Sequence, residues 1–158
     1  MSQKISSGWR DVAPEVAMII NRKKNWYCRY ADTCQFEKFD QIALPECTYE
    51  YQSDGAVITQ SGFTYRWGST KDFVDFFAKA FETLQTIHMV GPGDFEQISD
   101  DEVRATFTVI YHSGLAKGVS ESYGVQGTGG GHYCETWKRK GSDWFMAELR
   151  MNRIYEGK

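Results

Sequence analysis

Apolar residues recur at three- and four-residue steps from Val16 to Cys34, and the run starts just after Pro14. This spacing keeps one face of a helix apolar. Proline is tolerated in a first helical turn because its N–H would have no partner there. The pattern predicts a long amphipathic helix over about residues 14–33. A second, short helix is predicted over "FEKFDQIAL" and ends at Pro45.

The middle of the chain changes from strand-like to helical spacing. "CTYEY" and "GAVITQSGFTYRW" alternate and are rich in β-forming residues, which predicts a hairpin with its turn at 53–55. "GSTKDFVDFFAKAFETLQT" predicts a helix with a phenylalanine-rich apolar stripe. Ser69 is the expected N-cap, and Asp72 follows three residues later.

The remainder of the chain has a β pattern. Strands are predicted at or directly after "IHMVG", and at "EVRATFTVIYHS", "GGGHYCETWKRK" and "DWFMAELRMNRIY". The glycine-rich connection between Gly114 and Gly131 contains "GTGGG", which we interpret as a flexible loop near a cavity mouth and a candidate lid. Helices segregated from antiparallel strands predict an α+β fold. We assign residues 13–156 to one domain and 1–12 to an N-terminal arm.

Composition adds an expectation of a pocket. The 158 residues include five Trp, nine Tyr and ten Phe, more than a core of this size needs. An aromatic cavity for a flat organic ligand would explain the surplus. A thick core with a subunit interface would explain it equally well.

Charge and cysteine usage exclude several classes of function. The net charge of −3 without a basic stripe argues against nucleic-acid binding, and the run Arg22-Lys23-Lys24 predicts a solvated helix face. The sequence has neither HExxH nor clustered His and carboxylate ligands, which predicts no metal and no cofactor. Four cysteines without a CxxC pair, no apolar signal core and no membrane-length apolar run predict free thiols in the cytoplasm.

Three segments resemble a known family. "YADTCQFEKFDQIALPECTYEY", "TIHMVGPGDFEQISDDEV" and "GGHYCETWKRKGSDWFMAELR" are similar to stretches of the NTF2-like superfamily, and within it to SnoaL-like and scytalone dehydratase-like proteins. Together they cover most of residues 26–150. The resemblance implies an NTF2-like cone, in which a curved antiparallel sheet carries helices on its concave face and encloses a pocket.

The resemblance also implies candidate site residues. His88 matches the first cavity histidine of the dehydratase, and His112 matches the second to within one residue. Tyr51 falls on the first-strand tyrosine. Tyr133 and Glu135 fall on the late strand, where the dehydratase has other polar groups.

One departure from the dehydratase bears on the reaction. Its tyrosine–aspartate pair at the end of the first long helix is replaced by Cys34 and Gln35. This argues against scytalone dehydration itself. A related reaction remains open, as does the absence of any reaction.

The candidate residues suit general acid–base chemistry. In an aromatic cavity, the imidazole of His88 can remove a proton next to a carbonyl or protonate a departing hydroxyl. His112 and Glu135 are candidate catalytic partners. Tyr51 and Tyr133 could hold a carbonyl oxygen by O–H donation.

Two further aromatic residues are candidates for substrate binding. Trp26 and Tyr30 are four residues apart, share a helix face, and would offer stacking area to a flat substrate. Tyr51 and Tyr133 complete the predicted substrate-binding set.

Each candidate also has a structural interpretation. His88 could be a core histidine bonded to a backbone carbonyl, and His112 could point outward at a strand end. Glu135 could pair with a surface Arg or Lys on the neighbouring strand. Asp32 could bond to Arg29 and serve structure only.

Three hypotheses follow. The first is a cofactor-independent dehydratase, isomerase or cyclase acting on a hydrophobic polycyclic intermediate of secondary metabolism, such as a polyketide or terpenoid. The second is a non-catalytic module that binds a small molecule or a partner. The third is a small subunit of a ring-hydroxylating oxygenase. In every case the exposed sheet face predicts a homodimer or homotrimer.

Overall fold

The computed structural model describes residues 8–122 and 124–157. Residues 1–7 of the predicted N-terminal arm lie outside this part of the chain. The described remainder of the arm has no regular secondary structure. No described helix is both long enough and apolar enough to cross a membrane.

The predicted first helix is confirmed as α1, Pro14–Asp32, with proline in its first turn. It ends where Cys34 adopts a positive φ of 54°, a conformation in which a helix cannot continue. The helix buries Ile20 and Tyr27 against the sheet. Lys23 and Lys24 are also buried, so the prediction of a solvated face for this basic run is wrong.

The predicted second helix is shorter than expected. A 3-10 helix spans Phe36–Gln41, and the following residues enter strand β1, Ala43–Ser53. The predicted hairpin turn is present, because β2, Ala56–Val57, pairs antiparallel with the end of β1. The rest of the second arm divides into β3 (Thr59–Gln60), β4 (Phe63–Thr64) and β5 (Arg66–Trp67).

The second long helix, α2, spans Thr70–Ala80. The Ser69 side chain accepts a hydrogen bond from the Asp72 backbone N–H at 3.1 Å, which confirms the predicted N-cap. The helix ends earlier than its sequence pattern predicts. Residues from Leu84 onward pair with a later strand instead and form β6, Leu84–Val90.

Four further strands complete the sheet. They are β7 (Asp94–Ser99), β8 (Glu102–Leu115), β9 (Gly127–Lys140) and β10 (Asp143–Gly157). The "GTGGG" stretch lies within β9 and pairs with β8, so its interpretation as a flexible loop is wrong. Of the glycine-rich connection, the described residues between β8 and β9 form neither helix nor strand.

The main sheet has the strand order β2-β1-β10-β9-β8-β6, with β5 also paired to β1 and β7 to β8. The pairings are antiparallel except that between β1 and β10, which is parallel. The sheet is curved and unclosed, and the helices pack on its concave face. The predicted α+β cone is therefore confirmed.

A bulge in β10 decides which of its side chains face inward. Trp144 and Met146 are buried, and then the register against β9 shifts between Met146 and Glu148. A bulge adds one residue and reverses the alternation. After it, Leu149 and Met151 are the buried residues, and Arg153 follows on the same face.

The outer face of the sheet exposes apolar side chains near β6. Ile87, Met89 and Ile110 are all exposed there. Met89 and Ile110 are cross-strand partners. The homodimer or homotrimer expected from such a face stays a prediction.

Candidate active site

A cavity of about 1050 Å³ lies between the helices and the concave face of the sheet. Twelve aromatic side chains from the helices and the sheet line it, namely Tyr27, Phe36, Phe39, Tyr51, Phe63, Tyr65, Phe73, Phe76, Phe77, Phe81, Tyr111 and Tyr133. The aromatic surplus of the sequence therefore forms a cavity wall as well as a core. The volume suits an organic molecule of several rings.

His88 lies on this wall because of the alternation in β6. Its neighbours Ile87 and Met89 are 59% and 64% exposed, so they point to the outer face. Successive side chains of a strand point to opposite faces, which turns His88 inward. The apolar residues around this histidine therefore belong to the surface, and the histidine belongs to the cavity.

Asp32 holds the His88 ring from the end of α1. The Asp32 Oδ1 atom lies 2.6 Å from His88 Nδ1, and Oδ2 accepts the His88 backbone N–H at 3.0 Å. The Thr86 hydroxyl donates to Oδ1 at 2.9 Å. A carboxylate only accepts, so His88 Nδ1 is the donor, and the unprotonated nitrogen of the neutral ring is Nε2.

The His88 ring is flanked by aromatic rings. Phe81 and Tyr111 have ring centroids 6.1 and 5.9 Å from that of His88, and Tyr111 is its cross-strand partner. No hydrogen bond of Nε2 is found to any residue in the described part of the chain. The ring is thus fixed on one side and free to exchange a proton on the other.

Three tyrosines meet deeper in the cavity. The hydroxyls of Tyr27 and Tyr51 are 3.3 Å apart, and the Tyr27 and Tyr133 rings meet edge to face. Burial raises the pKa of all three phenols, and well above the usual value for Tyr27 and Tyr133. They therefore stay protonated at neutral pH and can donate hydrogen bonds to a ligand oxygen. The predicted cavity positions of Tyr51 and Tyr133 agree with this geometry.

Glu135 faces inward, as its alternation with Tyr133 and Trp137 predicts, but it does not line the cavity. It forms an ion pair with Lys24, and both side chains are fully buried. The Trp137 indole N–H donates to its second oxygen at 2.8 Å. The Lys24 ammonium lies 3.7 and 3.6 Å from the ring centroids of Tyr27 and Tyr133.

Glu135 is also remote from His88. Tyr111, the strand partner of His88, is level with Gly129 of β9, and Glu135 lies six residues further along. At the rise of a strand this is roughly 20 Å. The structure therefore does not bring Glu135 together with His88, and the alternative of a surface pair is wrong.

His112 is not a second buried acid–base group. It is exposed, and its partner across β6 is the outward-facing Ile87. Tyr111 takes the inward position of β8, so the next residue points away from His88. The alternative of an outward strand-end histidine describes it correctly, although His112 borders the cavity rim.

The predicted stacking pair lies on the wrong side of its helix. Trp26 and Tyr30 do share a face, and their rings stack at 6.3 Å. Neither lines the cavity, and the Tyr30 hydroxyl donates to Gln41 at 3.0 Å near the surface. The cavity is instead lined by Tyr27 and Ala31, which are also four residues apart.

Cys34 and Gln35, at the positions of the dehydratase pair, are absent from the cavity lining. Cys34 is exposed, and Gln35 bonds Thr33 and Lys38. The carboxylate that serves His88 comes instead from Asp32. The interpretation of Asp32 as a structural partner of Arg29 is wrong.

Two residues of the site, Asp32 and Arg153, are missing from the sequence-based set. Asp32 carried one signal. It is an acidic residue in the last turn of α1, where a negative charge interacts unfavourably with the helix dipole. Arg153 lines the cavity from β10, where only the bulge turns it inward. No pattern in the sequence marked that bulge.

The described residues contain no cluster of three or more His, Cys, Asp or Glu side chains suited to hold a metal ion. The polar groups that face the cavity are His88, the tyrosines and Arg153, with further polar side chains at the rim. This arrangement can move protons and hold oxygen atoms.

Comparison with known proteins supports the resemblance read from the sequence. The family model of the SnoaL-like domain matches residues 19–150. A protein of Gibberella zeae named Probable cyclase FGR4 is 52% identical over 145 residues, which cover 91% of this chain and 95% of that protein.

Solved structures confirm the fold. The Kfla4162 protein from Kribbella flavida has a TM-score of 0.75 at 15% identity, over 93% of this chain and 96% of that one. A protein named Putative Scytalone Dehydratase from Novosphingobium aromaticivorans has a TM-score of 0.69 at 13% identity, over 89% and 85% of the two chains.

Proposed function

The chain belongs to the SnoaL-like domain family, and from that premise we propose that it is a cofactor-independent cyclase or isomerase. Its chemistry is proton transfer next to a carbonyl group. The relative named Probable cyclase supports an enzyme of the lyase or isomerase kind. Dehydration of the product is a further step open to the same acid–base group.

The observation that carries this proposal is the Asp32–His88 pair on the wall of an aromatic cavity. Asp32 accepts from Nδ1 and from the backbone N–H of the same residue, which fixes both the position and the tautomer of the ring. A histidine placed only for packing needs neither a carboxylate partner nor a free nitrogen beside a cavity. General bases have both features.

In the proposed reaction, His88 Nε2 removes a proton from a carbon next to a substrate carbonyl. The resulting imidazolium is stabilised by Asp32. The enolate carbon forms a bond to a second, electrophilic carbon of the same substrate, and the ring closes. That carbon belongs to a second carbonyl group, whose C=O π bond breaks as the new bond forms, and the imidazolium returns its proton to the resulting alkoxide oxygen, so the step balances without a redox partner.

The buried phenols stabilise the charge that develops on oxygen. Tyr27 and Tyr51 share a hydrogen bond, and burial keeps both protonated. Donors that are already oriented cost little reorganisation when an enolate oxygen forms. In this proposal, Tyr51 and Tyr133 position the substrate carbonyl and Tyr27 supports them.

The proposed substrate is a hydrophobic molecule of several rings, or one that becomes so on cyclisation, such as a polyketide or terpenoid intermediate. Aromatic side chains from both helices and the sheet face the cavity, and its volume of about 1050 Å³ exceeds the need of a single-ring compound.

Deuterium exchange into 2-tetralone, a bicyclic ketone, tests the proton transfer without knowledge of the natural substrate. We expect the wild-type protein to accelerate exchange next to the carbonyl in D₂O, measured by proton NMR. His88→Ala should lose this acceleration, by about 10²- to 10⁴-fold. His132→Ala is the matched control, because His132 is exposed and does not line the cavity, so this variant should exchange the ketone like wild type.

Two results would contradict the enzyme proposal. One is exchange by His88→Ala at the wild-type rate. The other is tight binding of 2-tetralone without any acceleration, which would favour the non-catalytic binding module.

A further inference from the structure

One partly buried cation on the cavity wall has no part in the proton transfer above. Among the described residues that line the cavity, only Lys79 and Arg153 carry a positive charge other than a histidine. Lys79 is exposed at the end of α2. The Arg153 side chain is only 13% exposed, so it presents its charge inside.

Arg153 makes an ion pair with Glu156, which also lines the cavity, but this pair leaves part of the guanidinium without a partner. Its Nη1 donates to Glu156 Oε2 at 3.0 Å, while its Nε is buried and has no hydrogen-bond partner among the described residues. Arg139, in contrast, directs two of its nitrogens to Asp101. A guanidinium offers five N–H donors, so Arg153 keeps capacity that the protein leaves unused.

Arg153 lines the same cavity as Tyr51, Tyr65 and Tyr111. The positive charge of Arg153 acts on the hydroxyls of Tyr51, Tyr65 and Tyr111, where it opposes the rise in pKa that burial causes. Tyr111 has a second contact, since its ring lies 5.9 Å from that of His88. One tyrosine side chain therefore links the proton-transfer group to the cation.

Glycine in β9 leaves room for this arrangement. A Cβ atom at Gly129 would lie 2.2 Å from the Tyr111 hydroxyl oxygen. Any larger residue would push the phenol away from its present position beside Arg153. The glycine-rich stretch of β9 therefore provides space for the Tyr111 side chain, which lies across Gly129.

We propose that Arg153 and the Tyr111 hydroxyl form a subsite that binds an anionic oxygen of the substrate, either a carboxylate or an ionised enol. Guanidinium groups bind such oxygens through charge-assisted hydrogen bonds. The oxygen is then held one tyrosine ring away from His88, which places a neighbouring carbon of the substrate near Nε2. This subsite refines the proposed function and rests on it for the identity of the ligand as a substrate.

Calorimetric titration with flat acidic probes tests the subsite directly. The carboxylate probe is 3-hydroxy-2-naphthoate, and its neutral counterpart is the methyl ester. We expect the wild-type protein to bind the carboxylate about 10- to 100-fold more tightly than the ester. Arg153→Gln should lose this preference and retain ester binding.

A matched control lies on the same strand. Arg150 is half exposed and pairs with Glu148 at 3.6 Å, so Arg150→Gln removes one charge without touching the cavity. This variant should keep the preference for the carboxylate. Arg153→Lys, which keeps the charge but not the planar donor geometry, should keep part of it.

A second probe pair distinguishes the two sources of the anionic oxygen. 1,3-Indandione ionises as an enol, and 1-indanone is its neutral counterpart. Preference for the naphthoate alone assigns the subsite to a substrate carboxylate, whereas preference for the ionised indandione alone assigns it to an enolate. Both results support the subsite.

The proposal is overturned if wild type binds each acid no better than its neutral counterpart, a result that needs no variant to fold. It is also overturned if Arg153→Gln keeps the preference, or if Arg150→Gln loses it equally. These titrations measure binding and not proton exchange. A subsite that binds anions in a protein without exchange activity would therefore contradict the proposed function and not the subsite.

Discussion

Two acid–base pairs connect α1 to the sheet, one partly buried and one fully buried, and they differ in access. Asp32 and His88 meet at the C-terminal end of the helix, and His88 fronts the cavity. Lys24 and Glu135 meet two turns earlier, about 12 Å away along the helix axis, and neither side chain has any exposed surface. Both pairs come from one helix face, yet only one of them can reach a ligand.

The surroundings explain this difference. The Lys24 ammonium lies between the faces of Tyr27 and Tyr133, and the Trp137 indole closes the far side of Glu135. Every direction from that pair leads to protein. The His88 ring has Asp32 on one side only. Burial of ionisable groups therefore does not identify a catalytic site, whereas burial beside an accessible cavity does.

The largest effect is expected from Asp32→Asn. The amide cannot stabilise an imidazolium as a carboxylate does, so deuterium exchange into 2-tetralone should fall by about 10²- to 10⁴-fold. Circular dichroism should show an unchanged fold. Asp75→Asn is the matched control, because Asp75 pairs with Lys71 on the exposed face of α2. Full activity of Asp32→Asn would contradict a catalytic role for the Asp32–His88 pair.

Lys24→Met tests the fully buried Lys24–Glu135 pair. It leaves the Glu135 carboxylate buried without its partner, and we expect a loss of about 3–5 kcal/mol in the free energy of unfolding. Urea denaturation measures this loss. The double variant Lys24→Met/Glu135→Leu should recover most of the stability, because apolar side chains can replace a buried pair.

Lys71→Met provides the comparison for that experiment, since Lys71 is exposed and its removal should leave the denaturation midpoint nearly unchanged. A midpoint for Lys24→Met equal to that of Lys71→Met would show that the buried pair has no structural role.

Gly129→Ala should disturb the surroundings of the Asp32–His88 pair and leave the Lys24–Glu135 pair unchanged. The new Cβ would lie 2.3 Å from Tyr111 Cζ, so the ring beside His88 must move. We expect exchange to slow by roughly 10- to 100-fold, as small misplacements near reacting groups do. At Gly114 an added Cβ meets nothing within 4 Å, so Gly114→Ala should exchange at the wild-type rate. Equal rates for the two variants would contradict the role of Tyr111.

The smallest effect is expected at Cys28, midway between the two pairs on α1. Burial raises the pKa of its thiol to about 11, and that of Cys47 to about 12. At pH 8 both stay protonated, and the thiolate is the reactive form. Iodoacetamide should therefore label the exposed Cys34 before the buried Cys28 and Cys47, measured by mass spectrometry. Early labelling of Cys28 would show that the helix face between the pairs opens to solvent.

Elements with strong periodicity were predictable. The 3.6-residue pattern located α1, and the capping sequence at Ser69 located the start of α2. The end of α2 was not predictable from its own residues, because Leu84–Val90 prefers helix or strand according to what lies beside it. Pairing with β8 decided in favour of strand.

The parts of the site that depend only on neighbouring residues were predictable from the sequence. His88 faces the cavity by simple alternation in β6, and Tyr51 and Tyr133 alternate inward in the same way. The helix face that carries Trp26 and Tyr30 was identified correctly, but its direction depends on how α1 rotates against the sheet. Sequence spacing defines a face and leaves open what the face meets.

The sequence by itself determined that His88 was available for proton transfer, which faces were apolar, and that the aromatic content was high. Only the tertiary structure decided that Asp32 serves His88, that Glu135 is sealed by Lys24, and that a bulge turns Arg153 inward. The physical reason is the range of the interactions. Periodicity is written in neighbouring residues, whereas ion pairs and strand register join residues that are far apart along the chain.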